Sequence, residues 1–294
     1  MKNPWKRAAA LALTLVLGCL APAHAQDASA LRAKHDSLRD KLGNTPFQRP
    51  LVLESTQSSG DLQGEVYAVI EQPFSVVGPA LQGMDHWCEL LILHLNVKGC
   101  SFAGTPPGEV LSLVVGRKFD QPLDDGYKVA FAYSAPAANP DYLRVQMAAG
   151  TGPVGTRNYR LALEAVPLDD THSFLHMSYA YAYGTAARLA MQAYLGTAGS
   201  DKIGFSVTGK GEDGKPVYIK GVRGVVERNT MRYYLAIEAY LGSLAAPPGE
   251  QQERRLRDWF AATERHAPQL HEMDRDEYLA MKRNELQRQR GNAR

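Results

Sequence analysis

The chain has 294 residues, of which 45% are hydrophobic and 22% are charged, with 33 basic and 31 acidic side chains. This length suits one large globular domain, or a domain with an appendage. The net charge of +2 lacks the positive field that nucleic-acid binding requires, so we expect no nucleic-acid partner. No uncharged run reaches the roughly 20 residues of a transmembrane helix.

The N-terminus predicts an export signal. Three basic residues among the first seven precede an uncharged run at 8–21, and Ala23-His24-Ala25 offers the small residues that signal peptidase recognises. We therefore expect a signal peptide at 1–25, cleavage after Ala25 and a periplasmic or secreted protein. The alternative is a lipoprotein acylated at Cys19, because residues 16–19 resemble a lipobox.

Removal of residues 1–25 would leave 30 basic and 31 acidic side chains and two cysteines, Cys88 and Cys100. An even pair in an oxidising compartment predicts a disulfide. The nearby His86 and His94 leave a metal site as one alternative, and two buried free thiols are another. The spacing matches no standard zinc pattern, so we predict no metal and no cofactor.

Leucines at helical spacing predict a helix at 27–43, and a polar stretch at 54–61 predicts a linker. We accordingly divide the chain into an N-terminal helix and linker at 26–60, a main domain at 61–245 and a charged helical tail at 246–294. The main domain should open with a strand at 65–71 and helices at 73–82 and 87–95.

Alternation with a period of two then predicts five strands, at 110–118, 127–134, 142–149, 157–166 and 172–183. Next come a helix at 185–198 and two short strands, 202–207 and 217–222, around a glycine-rich turn. The helix at 224–241 has a continuous apolar stripe.

One strand, two helices, an antiparallel meander and a long final helix are the order of the helix-grip fold. Residues 64–77, where a strand runs into a helix opened by Pro73, and the closing helix at 223–241 resemble the START-related lipid-transfer and polyketide-cyclase superfamily (SRPBCC). The resemblance covers 61–245. It implies an α+β fold whose curved antiparallel sheet wraps the long C-terminal helix around an apolar ligand; the tail would be a helical extension.

The candidate ligand-binding residues follow from this arrangement. Tyr179, Tyr181 and Tyr183 point to one face of a strand, and Tyr233 and Ile237 on the long helix would lie opposite. We expect them to line a cavity for an apolar or amphipathic molecule of the lipid class; the alternative is ordinary core packing.

Arginines at the start of the same helix are the candidates for a polar head group. Arg223, Arg228 and Arg232 present forked donors that suit a carboxylate or phosphate. The alternative is a solvated helix face with surface ion pairs of little energetic value.

Our leading hypothesis is an exported, non-enzymatic protein that binds or carries a hydrophobic molecule. A cavity-based enzyme is the second hypothesis, with His172 or His176 as a general base. The third is an envelope interaction protein whose tail recruits an unknown protein partner or touches anionic lipid at the membrane periphery. The G-x-G-x-x-G match at 150–155 leads into a strand and predicts a hairpin turn instead of a dinucleotide site.

Overall fold

The computed structural model describes residues 23–197 and 199–292. Its helices and strands, in chain order, are α1 (Ala23–Gly43), β1 (Leu51–Gln57), β2 (Asp61–Ile70), α2 (Phe74–Ala80), α3 (Met84–Leu91), β3 (Val97–Ala103), β4 (Val110–Val115), β5 (Tyr127–Asn139), β6 (Tyr142–Thr151), β7 (Thr156–Pro167), β8 (Ser173–Tyr183), α4 (Thr185–Leu195), β9 (Val207–Lys210), β10 (Pro216–Tyr218), α5 (Gly221–Ser243), α6 (Pro248–Glu264), α7 (Ala267–Leu270) and α8 (Arg275–Asn292). Residues 1–22 of the predicted signal lie outside the described residues. None of the helices described is both long and apolar enough to cross a bilayer.

Eight antiparallel strands form one sheet in the order β1-β2-β8-β7-β6-β5-β4-β3. Each strand from β3 to β7 pairs with the next along the chain, and β8 also pairs with β2. The alternation of apolar side chains fixes the register, so that Val66 of β2 and Leu163 of β7 both lie beside Met177 of β8. These three side chains are fully buried, and they mark what we call the inner face of the sheet.

The long helix α5 lies across the inner face and packs closely against β1, β2 and β8. A glycine permits this close approach. A Cβ atom added at Gly64 of β2 would lie 2.2 Å from Oγ1 of Thr230 on α5. The helix buries most of its surface, including Val226 and Ile237. It is therefore held tightly against one half of the sheet.

The opposite, outer face of the sheet carries α1. Leu31 and Leu38 of this helix join a second apolar cluster with Tyr67, Val166 and Phe174. Burial of these leucines at helical spacing stabilises an N-terminal helix that has little apolar surface otherwise.

The C-terminal helices α6, α7 and α8 pack against the domain. Trp259 and Tyr278 are buried and stack with ring centroids 5.0 Å apart. The Trp259 indole N–H donates to the carbonyl of Arg232, and the Tyr278 hydroxyl donates to the carbonyl of Leu93. The segment is helical, as expected, and its aromatic side chains complete the core.

A curved antiparallel sheet around one long helix is the helix-grip arrangement, so the predicted fold class is confirmed. The prediction of a linker at 54–61 is wrong. Strand β1 pairs with β2 along its whole length and extends the sheet back to residue 51. Strand β3 was not predicted. The strands β9 and β10 form a separate two-stranded sheet. Helix α4 therefore comes after the last strand of the main sheet.

The predicted disulfide between Cys88 and Cys100 is present and joins α3 to β3, with Cα atoms 5.3 Å apart. Both sulfur atoms are used in this bond, so the alternatives of a metal site with His86 and His94 or of free thiols do not apply to these cysteines.

Candidate functional site

A cavity of about 160 Å³ lies between α5 and the half of the sheet formed by β4 to β7. We call it the inner cavity. Its floor is apolar, since Leu113, Val129, Met147 and Leu161 line it and are buried. Its roof and one wall carry the polar groups, among them Asn229 and Tyr233 of α5 and His94 and Asn96 in the turn after α3. Helix α5 is drawn toward β1 and β2 at Gly64, and the cavity lies over the other half of the sheet.

The volume limits what the cavity can hold. An apolar cavity of about 150 Å³ engineered in another protein binds benzene, whereas pockets for drug-sized ligands begin at about 300 Å³. The inner cavity therefore matches a single six-membered ring with a small substituent. It is too small for an acyl chain with its head group.

His94 is the most distinctive polar group of the wall. The backbone N–H of Asn96 donates to its Nδ1 at 3.1 Å, so the proton of the neutral ring is on Nε2. Burial, followed by the charges of Arg232, Lys282 and other nearby cations, lowers the pKa of His94 well below its usual value. The ring is therefore neutral at physiological pH. Its Nε2 is buried and bonds to none of the residues that the structure describes.

Three tyrosine rings lie along the cavity. Tyr179 is 5.2 Å from Tyr233 and 6.3 Å from Tyr159, measured between ring centroids. The hydroxyl of Tyr159 is bonded to that of Thr156. Within residues 23–197 and 199–292, the hydroxyls of Tyr179 and Tyr233 form no hydrogen bond, and burial raises the pKa of both. These two hydroxyls can donate to a guest.

Helix α8 holds the turn that carries His94. The fully buried ammonium of Lys282 donates to the carbonyls of His94 and Val97 and to the carboxylate of Glu285. Glu285 also accepts from Lys98 at 2.9 Å. The C-terminal segment therefore fixes a wall of the inner cavity, although its residues come more than 180 positions later in the chain.

The surroundings of this wall carry an excess of positive charge. Lys98 and Lys282 share the single carboxylate of Glu285. A second carboxylate, Glu272, accepts from three cations, namely Arg232, Lys118 and Lys202. Burial alone would raise the pKa of Glu272, but these cations lower it to about 2. Burial lowers the pKa of Lys118 to about 8. Five cations thus face two carboxylates.

Of the candidate ligand-binding residues, the structure places Tyr179 and Tyr233 on the inner cavity. Tyr181 stacks on Tyr159 with centroids 5.3 Å apart, and Tyr183 accepts a hydrogen bond from Gln57. Ile237 is fully buried. These last three belong to the core outside the cavity lining.

The three arginines predicted to hold a head group each bond to other residues of the chain. Arg223 donates to the hydroxyl of Ser55, and Arg228 donates to the carbonyl of Ile203. Arg232 donates to Glu272 and is buried. The three guanidinium groups bond in different directions because α5 is covered on several sides by other elements, which the sequence of one helix does not reveal.

The histidines proposed as a general base lie away from the cavity. His176 is on the outer face, between Glu164 and Glu65, with both nitrogens 3.1 Å from a carboxylate oxygen. His172 pairs with Asp169 at the surface. Neither can act on a molecule in the inner cavity, so the enzyme hypothesis loses the residues that supported it.

Sequence reasoning missed His94 and Asn96 as parts of a binding site. His94 was considered only as a metal ligand, because its place in a tight turn facing a cavity depends on α8. The glycine-rich segment at 150–155 forms the connection between β6 and β7, as expected, and its Pro153 borders the cavity.

No family model matches the chain, and no curated protein matches its sequence. Solved structures of START-type proteins are similar to it. Norcoclaurine synthase from Thalictrum flavum, in complex with dopamine and hydroxybenzaldehyde, is 11% identical over 51% of this chain and 82% of its own, with a TM-score of 0.34. Human StAR-related lipid transfer protein 5 is 11% identical over 60% and 91%, with a TM-score of 0.32.

An aromatase/cyclase from a Streptomyces species is 11% identical over 70% of this chain and 96% of its own, with a TM-score of 0.32. Similarities at this level concern the fold, and they assign no ligand, activity or residue to this chain.

Proposed function

We propose that this protein is an exported binding or carrier protein for a small hydrophobic or amphipathic molecule, which it holds in the inner cavity. The observation that carries the proposal is the space of about 160 Å³ between α5 and the sheet. Well-packed cores contain few voids larger than a water molecule, so a largely apolar cavity of this size is a candidate ligand site.

The lining supports the same proposal. Ligand pockets combine mostly apolar walls with a few placed polar groups, and the inner cavity has an apolar floor with His94, Asn229 and the hydroxyls of Tyr179 and Tyr233 above it. The volume favours a ring-sized guest over the full lipid that the sequence suggested. Export and contact with a membrane surface remain parts of the proposal that rest on the N-terminal sequence and the basic residues of the C-terminal segment.

The experiment is a titration of the 15N-labelled protein with toluene, followed by NMR. We expect saturable shifts at residues around the cavity. The variant Leu161→Trp would fill the cavity and abolish these shifts. The matched control is Ala162→Leu, the next residue of β7, whose side chain points to the outer face. Absence of saturable shifts in the wild-type protein, or binding that survives Leu161→Trp, would overturn the proposal.

A further inference from the structure

The connection between β6 and β7 presents an apolar side chain to solvent in a strained backbone conformation. Val154 lies in the left-handed region, with φ 56° and ψ 32°, which a β-branched residue rarely adopts. Glycine would take this conformation at little cost. Val154 is 67% exposed, so packing within the domain does not account for a valine at this position.

Helix α4 lies against this connection and adds a second apolar side chain. Leu189 of α4 is 59% exposed, and no other large apolar residue that the structure describes is as exposed as Val154 and Leu189. Tyr127, 45% exposed, begins β5 at the same end of the sheet, because β5 runs antiparallel to β6. Scattered apolar residues on a surface are ordinary, but these three share one end of the sheet.

Arginines surround these apolar side chains. Arg157 and Arg160 of β7 and Arg188 of α4 are exposed. The guanidinium of Arg157 lies at the start of α4, with Nη1 3.1 Å from the position of a Cβ atom added at Gly184. Among the residues that the structure describes, none of the three arginines has an ion-pair partner.

The positive charge here is not compensated locally. The two segments that form this end, 150–160 and 184–197, contain no aspartate or glutamate. Exposed arginines elsewhere differ in this respect, since Arg254 pairs with Asp258 and Arg257 pairs with Glu253. The end therefore combines apolar side chains in solvent with free guanidinium groups.

This combination matches an anionic lipid surface. Apolar side chains enter the boundary between head groups and acyl chains, and basic side chains are attracted to anionic lipids. A stable protein interface buries about 800 Å² on each partner around a well-packed centre, whereas these apolar residues are separated by charged ones.

We propose that the end of the protein formed by Val154, Leu189, Arg157, Arg160 and Arg188 docks on an anionic lipid surface. Pro153, next to Val154, borders the inner cavity, so docking brings one border of the cavity to the lipid. The inference goes beyond the proposed function and does not depend on it.

The test is co-sedimentation of the chain from residue 26 with vesicles of phosphatidylglycerol and phosphatidylcholine in equal parts, compared with phosphatidylcholine alone. The predicted signal is omitted because its apolar run could itself bind lipid, and the packing residues of α1, which begin at Ala28, are retained. We expect binding to the anionic vesicles only, and weaker binding as the salt concentration is raised. Equal binding to both kinds of vesicle, or binding to neither, would overturn the inference.

Val154→Gly separates lipid binding from folding. Glycine suits the left-handed conformation, so stability in urea should be unchanged or higher, while affinity for the anionic vesicles should fall about tenfold with loss of the apolar side chain. Arg157→Gln and Arg188→Gln should each lower this affinity about fivefold, because one basic side chain near an anionic surface contributes about 1 kcal/mol.

The matched controls are Phe102→Ser and Arg265→Gln, and both should bind vesicles like the wild type. Phe102 is 50% exposed near the end of β3, at the opposite end of the sheet, and Arg265 is an exposed residue of the C-terminal segment. Full affinity in Val154→Gly, or a loss in Arg265→Gln as large as that in Arg157→Gln, would mean that another surface binds lipid, and the inference would fail.

Sedimentation velocity without vesicles tests the remaining occupant, a second copy of the chain. A concentration-dependent dimer that Val154→Gly abolishes would assign this end to contact between copies and would overturn the inference. Titration with toluene judges the proposed function separately, because it reports on the inner cavity and needs no vesicles.

Discussion

The imidazole ring of His94 stacks on the phenol ring of Tyr233, with centroids 4.6 Å apart and 23° between the planes. This contact joins the turn after α3 to the long helix α5, across the roof of the inner cavity. The turn is itself bonded to Lys282 of α8. The position of one donor thus depends on three segments that are distant in the chain.

Adjacent tyrosines on α5 should respond differently to loss of the hydroxyl. Tyr234 donates to Glu238 at 2.7 Å and is fully buried, so Tyr234→Phe should lower the free energy of unfolding by about 2 kcal/mol. The hydroxyl of Tyr233 bonds to none of the described residues, so Tyr233→Phe should leave stability unchanged or raise it. Urea denaturation measures both. A loss in Tyr233→Phe as large as that in Tyr234→Phe would show that its hydroxyl has a partner.

Gly64 should be intolerant of a side chain, because a Cβ atom would meet Oγ1 of Thr230 at 2.2 Å. Overpacking of this kind costs about 1–3 kcal/mol, and we expect that loss in Gly64→Ala. The matched control is Gly150→Ala in β6, where no atom lies within 4 Å of the added Cβ. Thr230→Ala in the Gly64→Ala background should restore part of the stability. Equal stability of Gly64→Ala and the wild type would contradict the close approach of α5 to β2.

Glu285 should be essential for stability, since its carboxylate pairs with two fully buried lysines, Lys98 and Lys282. Removal of one partner from a buried ion pair costs about 3–5 kcal/mol, and we expect Glu285→Gln to lose that much in urea denaturation. Glu277→Gln, in the exposed first turn of the same helix, is the control and should change stability by less than about 0.5 kcal/mol. A small effect of Glu285→Gln would mean that α8 does not dock as described.

The outer face predicts a pH dependence. Burial alone would lower the pKa of His176, but its hydrogen bonds to Glu164 and Glu65 raise it overall. The same contacts lower the pKa of both carboxyl groups. Tyr67 and Tyr142 donate to these carboxylates, and Lys34 of α1 lies over the Tyr67 ring. The charged form of His176 therefore stabilises the folded protein.

Because the folded pKa lies above the unfolded value of about 6.5, this stabilisation is complete below that pH and is lost as the pH rises through the folded pKa. We expect His176→Gln to destabilise the protein more at pH 6 than at pH 9, measured by urea denaturation. His172→Gln is the control, since its ion pair with Asp169 lies at the surface and contributes little. A loss that does not depend on pH would contradict a charged His176.

Much of the fold could be predicted from the sequence because its signals are local. The alternation in β5 to β8 and the apolar stripe of α5 are properties of neighbouring residues. Strand β3 escaped prediction because it contains Lys98 and Gly99, which break the pattern. The buried ammonium of Lys98 is paired there with Glu285, 187 positions away.

The site was predictable only in part, because some of its residues are positioned by contacts that are distant in the chain. Tyr179 and Tyr233 follow from strand and helix periodicity. His94 depends on the turn that Lys282 holds, and the arginines of α5 depend on which partners surround the helix. Arg232 looked solvent-exposed from its helix alone, but it is buried against Glu272.

The most direct measurement is a crystal structure of the protein soaked with iodobenzene, in which anomalous scattering locates the iodine. The account predicts one iodobenzene in the inner cavity, with its ring between Met147 and Tyr233. A structure in which side chains close the space between α5 and β4 to β7, with no iodine there, would contradict the claim that this protein binds a small apolar molecule.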